Sequence, residues 1–455
     1  MEKASLEEIL TYREKRASRR EKLLLEYQLP MACLTLNIPG EYKDFPWARR
    51  CFREEIESFK LALEAEEISV FCEETEMEKA GYTAYFSVDT EPGRLKALGL
   101  KIEETHPLGR LFDIDIYEQD GNKISRQGLK TSERKCLVCG KNAFVCARSR
   151  AHSPQELRDT LLEIMENWLG QKLGDTVTQT AIWAIMSEAA VTPKPGLVDF
   201  ANCGAHRDMD FFTFIDSASA ILYWFRDCAL AGFNSAAENS SISPSALFES
   251  LRPPGKIAEV LMKKAAKGVN THRGYIFSLG ILCAAYGRLY RDMEKPDMAG
   301  VLEFSKAMTA FLMRDFSGSC GMKQSNGEKV YAKSGIRGIR GEVSLGFPSV
   351  TEHALPLLCD MLKKGHSLND AGTAALLKLL AHAEDTNMIH RGGEEAFRSI
   401  QEELKTFFST DPCINAIREK AAALDGRFIS LNLSPGGCAD LLGVTFFLYR
   451  LFNCP

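Results

Sequence analysis

The chain is poor in tryptophan, with 4 among 455 residues, and has neither a long apolar run nor an excess of positive charge. A helix that crosses a bilayer needs about 20 consecutive apolar residues. The longest apolar runs, near Ile276–Tyr286 and Val444–Tyr449, are too short or too polar, so no membrane partner is expected. Met1–Glu26 is charged throughout rather than basic and then apolar, which argues against a secretory leader and makes the bacterial cytoplasm the expected compartment. The net charge of −5 gives no general affinity for nucleic acid. No G-x-x-x-x-G-K-[ST] loop and no kinase signature occur, so any use of ATP is of an unusual kind. Cysteine is present, at 14 residues, but mostly singly on apolar stretches (Cys33, Cys228, Cys283, Cys359), where it acts as a small hydrophobe rather than as a disulfide framework.

A chain of this length exceeds one ordinary core, and its character changes near residue 170. Residues 1–170 hold 26 basic and 31 acidic side chains, so the whole net negative charge lies there. In that part Leu6–Tyr27 reads as an amphipathic helix with arginine on its wet face, Met31–Ile38 as a strand and Trp47–Glu67 as a helix. The acid-rich Glu54–Glu78 reads as a solvated face, and Thr83–Val88 as a strand. In His106–Tyr117 the pattern alternates from Phe112 onward: Phe112, Ile114 and Ile116 take one face, Asp113, Asp115 and Tyr117 the other. Two carboxylates two residues apart on a strand can hold Mg²⁺, and a Gly followed by D-x-D is a nucleotidyltransferase pattern. A solvent-facing strand can also carry two aspartates. Asp120-Gly121 then turns the chain toward Lys123–Arg126.

Between Lys123 and Arg150 stand eight basic residues and one acid, Glu133, a segment suited to a polyphosphate or an acidic protein. It contains Cys136, Cys139 and Cys146, followed by His152. These could form one tetrahedral Zn²⁺ site, although the spacing is not that of a standard finger, and free thiols are the other reading. A zinc module that binds RNA is disfavoured because Phe144 is the only aromatic in the run. Ser153-Pro154-Gln155-Glu156 starts a helix, and Gly170–Gly174 reads as a short joint. The expected domains are therefore 1–170, an α+β nucleotidyltransferase-like domain, and 175–455, an all-α domain whose apolar residues recur at helical spacing.

The second domain is organised around Thr192–Asp210, which lies between two helical stretches. Pro193 and Pro195 make Thr192–Gly196 rigid and extended, and the loop goes on to Asp199, Gly204, His206, Asp208 and Asp210. Further polar knots follow: Asn270-Thr271-His272-Arg273-Gly274; Arg340-Gly341-Glu342; Asp385-Thr386-Asn387 with Arg391; and Ser434-Pro435-Gly436-Gly437 with Asp440. Each knot alone suits a helix-capping loop, but a bundle can gather such loops into one pocket. That pocket would bring Asp199, Asp208, Asp210, Glu342, Asp385 and Asp440 together with the amides of Asn270 and Asn387. Lys194, Arg273 and Arg391 would be its cations. So many carboxylates imply Mg²⁺. The cations, together with Ser434, Gly436 and Gly437 at a helix start, suit a polyphosphate.

At these residues a resemblance emerges. HPLGRLFDID at His106–Asp115 and RKCLVCGKNAFVCARSRAHS at Arg134–Ser153 resemble the citrate lyase holo-acyl-carrier-protein synthase. TPKPGLVD, GAHRDMD, GVNTHRG, DTN with RGG, and SPGGCADLL, spread over residues 175–455, resemble triphosphoribosyl-dephospho-coenzyme A synthase. The resemblance implies that the second domain joins ATP to 3′-dephospho-coenzyme A with release of adenine. The first domain would then transfer the product to a serine of the citrate lyase acyl carrier subunit, releasing pyrophosphate. In that scheme Asp199, Asp208 and Asp210 do metal or base work, Lys194 and Arg391 hold triphosphate, and His206 or His272 is the acid. Asp113 and Asp115 hold Mg²⁺, and Arg110, Arg148 and Arg150 neutralise pyrophosphate. Two other readings are the equivalent system of malonate decarboxylase and a metal-dependent helical hydrolase of ADP-ribosyl bonds.

Overall fold

The computed structural model describes residues 2–125, 134–237, 242–312 and 326–452. Residues 126–133, which include the end of the expected Lys123–Arg126 strand and part of the basic segment, lie outside the described residues. Two compact units divide the chain, Met1–Gln171 and Lys172–Pro455.

The first unit runs α1 (Leu6–Tyr27), β1 (Met31–Leu36), α2 (Pro46–Ala65), β2 (Val70–Glu78), β3 (Gly81–Val88), α3 (Pro92–Thr105), β4 (Phe112–Tyr117) and α4 (Ala143–Ser149). The strands form an antiparallel sheet of order β2-β3-β1-β4, so the strand with the two aspartates is an edge. Its register against β1 pairs Asp115 with Cys33 and Asp113 with Thr35. Because strand side chains alternate, this register fixes the faces. Met31, Cys33, Tyr85 and Tyr117 share a core with Leu23 and Leu24 of α1. The other face meets α2 and α3, where Phe59 packs on Phe86 and His106 stacks on Phe112. Asp113 and Asp115 therefore stand on the α1 side of the sheet.

The acid-rich run is a solvated face only in part. Glu73–Glu78 lies on a strand, β2, with Glu73 and Glu78 exposed. Glu55, inside the acid-rich run, is fully buried. And α1 does not turn all its arginines to water: Arg19 pairs with Glu74, while the Arg20 guanidinium lies over the Tyr117 ring and donates to its hydroxyl at 3.0 Å. The outer edge of β4 is closed by side chains, since Glu103 accepts from the Ile114 amide at 2.8 Å and Lys96 donates to its carbonyl at 3.0 Å. An unpaired edge strand otherwise invites another chain.

Helix α5 (Pro154–Ala190) begins in the first unit and continues through Gly170–Gly174, where a joint was expected. A single glycine costs a helix only about 1 kcal/mol, too little to stop one with apolar residues on either side. The second unit then contains α6 (Phe211–Asn234), α7 (Pro244–Ala265), α8 (Arg273–Asp292), α9 (Met298–Met308), α10 (Asn326–Ser334), α11 (Gly338–Leu345) and a π-helical turn at Ser349–Ala354. After these come α12 (Leu355–Lys363), α13 (Leu368–His382), α14 (Thr386–Gly392), α15 (Glu394–Ser409), α16 (Ile414–Ser430) and α17 (Gly436–Phe452). Its described residues form no strand. Helices α8, α13 and α17 are buried along most of their length and make the core. Helix α6 runs parallel to α8: Ser217 meets His272 near both helix starts, and the Trp224 indole donates to the Ile276 carbonyl one to two turns on. That pairing brings the two N-termini to the same end of the bundle.

Candidate active sites

The Thr192–Asp210 loop folds back on itself through two glycines. Gly196 and Gly204 have φ of +68° and +56°, and a Cβ on Gly204 would lie 2.5 Å from the Gly196 carbonyl carbon. Only glycine permits that backbone at that distance. The Thr192-Pro193 peptide is cis. Asp199, expected at the metal, holds the loop instead: its carboxylate accepts from the amides of Lys194, Ala201 and Asn202 at 2.9, 2.7 and 3.0 Å. Asp425 of α16 takes the Gly196 amide at 2.9 Å and the Asn202 side chain at 2.9 Å.

This loop walls a cleft of about 310 Å³ within the second unit. Of the residues named from the sequence, Lys194, His206, Asp208, Asn270, Arg273, Asn387, Arg391, Ser434, Gly436 and Asp440 line it. The starts of α8 and α17 both open onto it. On its floor Lys194 and Glu188 form an ion pair of 2.6 Å, each 1% exposed, and the second Glu188 oxygen is buried without a partner. Asp440 is half-buried, and its carboxyl is raised well above the usual range by burial and by the charges of Glu188 and Asp385. It rests against the Cα of Gly274, where a Cβ would come within 1.9 Å of its oxygen. His206 has Nε2 2.8 Å from the Ser434 hydroxyl and Nδ1 3.9 Å from Asp208. Burial, and then the Arg391 charge, lower its pKa.

The remaining expected residues sit elsewhere, each for a visible reason. Asp210 caps α6, taking the Thr213 amide at 2.9 Å. Asp385 spends its oxygens on the amides of Asn387, Met388 and Cys438, joining the starts of α14 and α17. Gly437 packs against that carboxylate. Glu342 accepts from the amide and hydroxyl of Ser349, and burial raises its pKa. A carboxylate committed to a helix N-terminus has the same sequence signature as a ligand in a polar knot. His272 is fully enclosed, with Nδ1 2.7 Å from the Ser217 hydroxyl. Burial and the Lys194 charge push it down to about 3, so near neutrality the ring is a neutral imidazole rather than an imidazolium acid. Sequence reasoning missed Glu188, the one acid in the apolar last turns of α5, together with Tyr275 and His390. The only signal for Glu188 was its place four residues before the loop begins.

In the first unit each strand aspartate holds a cation. Arg134 donates to Asp113 at 2.9 Å and to the Phe112 carbonyl at 2.6 Å, while Lys123 meets Asp115 at 2.6 Å. Glu55 accepts from the Asp113 amide at 3.2 Å; burial, and then the Asp113 charge, raise its carboxyl well above the usual range. Arg110, Arg148 and Arg150 are exposed, the last two on α4 and its C-cap. Arg134 was not singled out from the sequence, yet it is the cation that reaches Asp113. Cys136, Cys139, Cys146 and His152 converge, with their ligand atoms all within 4.8 Å of one another. The Lys141 amide and then His152 pull the Cys139 thiol down to about 6, while Cys139 and burial push Cys146 up to about 11.

Comparison with known proteins accounts for both units. Residues 4–168 match the family model of apo-citrate lyase phosphoribosyl-dephospho-CoA transferase, CitX, which is a more exact description than a carrier-protein synthase. Residues 174–454 match ATP:dephospho-CoA triphosphoribosyl transferase, CitG. The chain is similar to Protein CitXG of Haemophilus influenzae, 32% identical over 459 residues, covering 98% of this chain and 96% of that one. It is also similar to Protein CitXG of Leuconostoc mesenteroides subsp. cremoris, 32% identical over 475 residues with 99% and 98% covered. A third relative is the 2-(5''-triphosphoribosyl)-3'-dephosphocoenzyme-A synthase of Pectobacterium atrosepticum. It is 38% identical over 274 residues, which are 60% of this chain and 88% of that protein. No helix among the described residues is long and apolar enough to cross a membrane.

Proposed function

The chain belongs to the CitXG family of fused citrate lyase prosthetic-group enzymes and is a bifunctional transferase, and from that premise we propose how its two units divide the work. Residues 172–455 join ATP to 3′-dephospho-CoA and release adenine. Residues 1–171, read as a nucleotidyltransferase-like unit, pass the product to a serine of the citrate lyase acyl carrier protein and release pyrophosphate.

The observation that carries this reading is the cleft with a buried ion pair and Asp440 on its floor and cations around it. The 2′-hydroxyl of dephospho-CoA attacks C1 of the ATP ribose, the bond to adenine breaks, and the triphosphate stays attached. Lys194, Arg273 and Arg391 bind the triphosphate together with the amides at the starts of α8 and α17, where the helix dipole favours anions. His206, kept neutral, takes the proton of the attacking hydroxyl, and the departing adenine takes up a proton from the imidazolium so formed. Its anchor at Ser434 sets the ring. The oxygens of Asp208 and Asp440 face the oxocarbenium-like centre at the ribose. Asp208 and Asp440 present hard oxygen donors to the cleft, which fit Mg²⁺, and they would hold it. The ion supplies positive charge to the triphosphate.

In the first unit, Asp113 and Asp115 share one face and each already binds a cationic group, which fits Mg²⁺; these two carboxylates would hold it, and it would offset charge on the transferred phosphate. Arg134, with the exposed Arg110, Arg148 and Arg150, meets the departing pyrophosphate and the acidic carrier. The family matches favour this reading over malonate decarboxylase chemistry and ADP-ribosyl hydrolysis. The test is incubation with ATP, 3′-dephospho-CoA and Mg²⁺, each omitted in turn, with apo-carrier added last. Adenine should form only when both nucleotides are present, and the carrier should then gain the mass of the transferred group. Adenine released without dephospho-CoA would sink the proposal.

A further inference from the structure

We propose that Cys136, Cys139, Cys146 and His152 bind one Zn²⁺, and that this ion fixes Arg134 on the aspartate strand. The ligand atoms converge without strain: the Cys139 and Cys146 sulfurs lie 3.5 Å apart, and His152 Nε2 lies 3.3 Å from the Cys139 sulfur. A tetrahedral site with Zn–S near 2.3 Å and Zn–N near 2.0–2.1 Å needs ligand separations of about 3.6–3.8 Å. Those two separations are within a few tenths of an ångström of that, and all four ligand atoms lie within 4.8 Å of one another.

The backbone is shaped for such a site. Cys136 to Gly140 make a tight turn in which the Gly140 amide donates to the Cys136 carbonyl at 3.2 Å, with Gly140 at φ +70°. The Cys136 amide donates to the Lys141 carbonyl at 2.5 Å, and Lys135 pairs with Asn142 across the ribbon. Asn142 caps α4, which presents Cys146, and the Ala151 amide returns to the Cys146 carbonyl at 3.0 Å, bringing His152 back to the turn. Within residues 134–152 only Cys136 and Cys146 are buried, whereas the large apolar side chains Phe144 and Val145 are exposed. A segment whose interior consists of its own thiols has no apolar core to hold it, and a structural metal supplies what is missing. As the ion binds, three thiols release their protons to solvent and the imidazole binds as the neutral base. Soft sulfur donors select zinc over magnesium.

The consequence reaches the strand. The ribbon ends at Arg134, whose carbonyl accepts from the Ala143 amide at 2.8 Å and whose guanidinium holds Asp113. The metal thereby sets where that guanidinium stands. Only the effect on carrier transfer rests on the function proposed for the first unit; the metal site does not.

The test uses the full chain purified under reducing conditions. Elemental analysis should give about one zinc per chain. Exchange for Co²⁺ should give the thiolate-to-cobalt charge-transfer band and the d–d bands of a tetrahedral site. The pair Cys139→Ala with Cys146→Ala should lose the metal and keep adenine release, which reports that the second unit is folded. His152→Cys should keep the metal and shift the cobalt bands toward those of a four-thiolate site. Metal-free reduced protein that takes up no Co²⁺, a Cys139–Cys146 disulfide in its place, or zinc that persists in the double variant would each overturn the proposal. Zinc present in a protein that labels no carrier would count against the function of the first unit and leave the metal site standing.

Discussion

The two units handle clustered carboxylates in opposite ways. On β4, Asp113 and Asp115 are partly exposed, and each is matched by its own cation, Arg134 and Lys123. In the second unit Glu188 and Lys194 are enclosed as a pair, and half-buried Asp440 has its carboxyl raised by burial and by the charges of Glu188 and Asp385. An exposed pair is screened by water and contributes little to stability, so the strand site can exchange its cations for a substrate's metal at small cost. A buried pair is costly to break from either side, so the cleft is organised before substrate arrives. The difference suits the proposed tasks. The strand site must admit a whole carrier protein, whereas the cleft must keep water from a reactive ribose centre.

The sharpest way to break that contrast is at the buried pair. Lys194→Met leaves Glu188 without a partner and should cost about 3–5 kcal/mol of stability, with adenine release abolished. Adding Glu188→Gln should recover much of the stability but not the reaction, a split that denaturant unfolding and adenine assays on the two variants will show. Gly274→Ala pushes against the Asp440 carboxylate. An ångström of misplacement there should lower adenine release about a hundredfold while carrier labelling with supplied intermediate stays normal. On the strand, Arg134→Ala should slow carrier labelling roughly tenfold, the scale of one charge-assisted hydrogen bond, with unfolding midpoints nearly unchanged. The smallest effect concerns pH. His272 titrates near 6.5 when unfolded and at about 3 in the folded chain, so between those values the unfolded chain binds the extra proton. Its contribution destabilises the fold as pH falls from about 6.5 toward 3 and vanishes above that window. His272→Gln should therefore flatten the acid side of the stability profile, as unfolding midpoints between pH 7 and 5 will show.

What could be read from the sequence follows the same division. The alternation from Phe112 to Tyr117 placed both aspartates on one face, because a period of two leaves no other choice. Three of the later knots, at 270–274, 385–391 and 434–440, reach the cleft that the Thr192–Asp210 loop walls, whereas Arg340–Glu342 does not line it. Their acids could not be sorted by type: Asp385 and Asp210 cap helices while Asp440 and Asp208 face the cleft, and all four stand in similar polar company. Glu188 and Glu55 were hidden for the opposite reason. Each lies within a helix with no turn or glycine to mark it, and its importance comes from burial, which only the tertiary fold decides. The glycines at 170 and 174 stand where one unit gives way to the other but do not end the helix, because a break inside a helix depends on what packs around it.

The division of labour between the units can be measured in one protein. In Asp113→Ala/Asp115→Ala, adenine release from ATP and dephospho-CoA should run at the wild-type rate while the carrier gains no mass. Labelling that survives, or adenine release that falls together with it, would contradict the account.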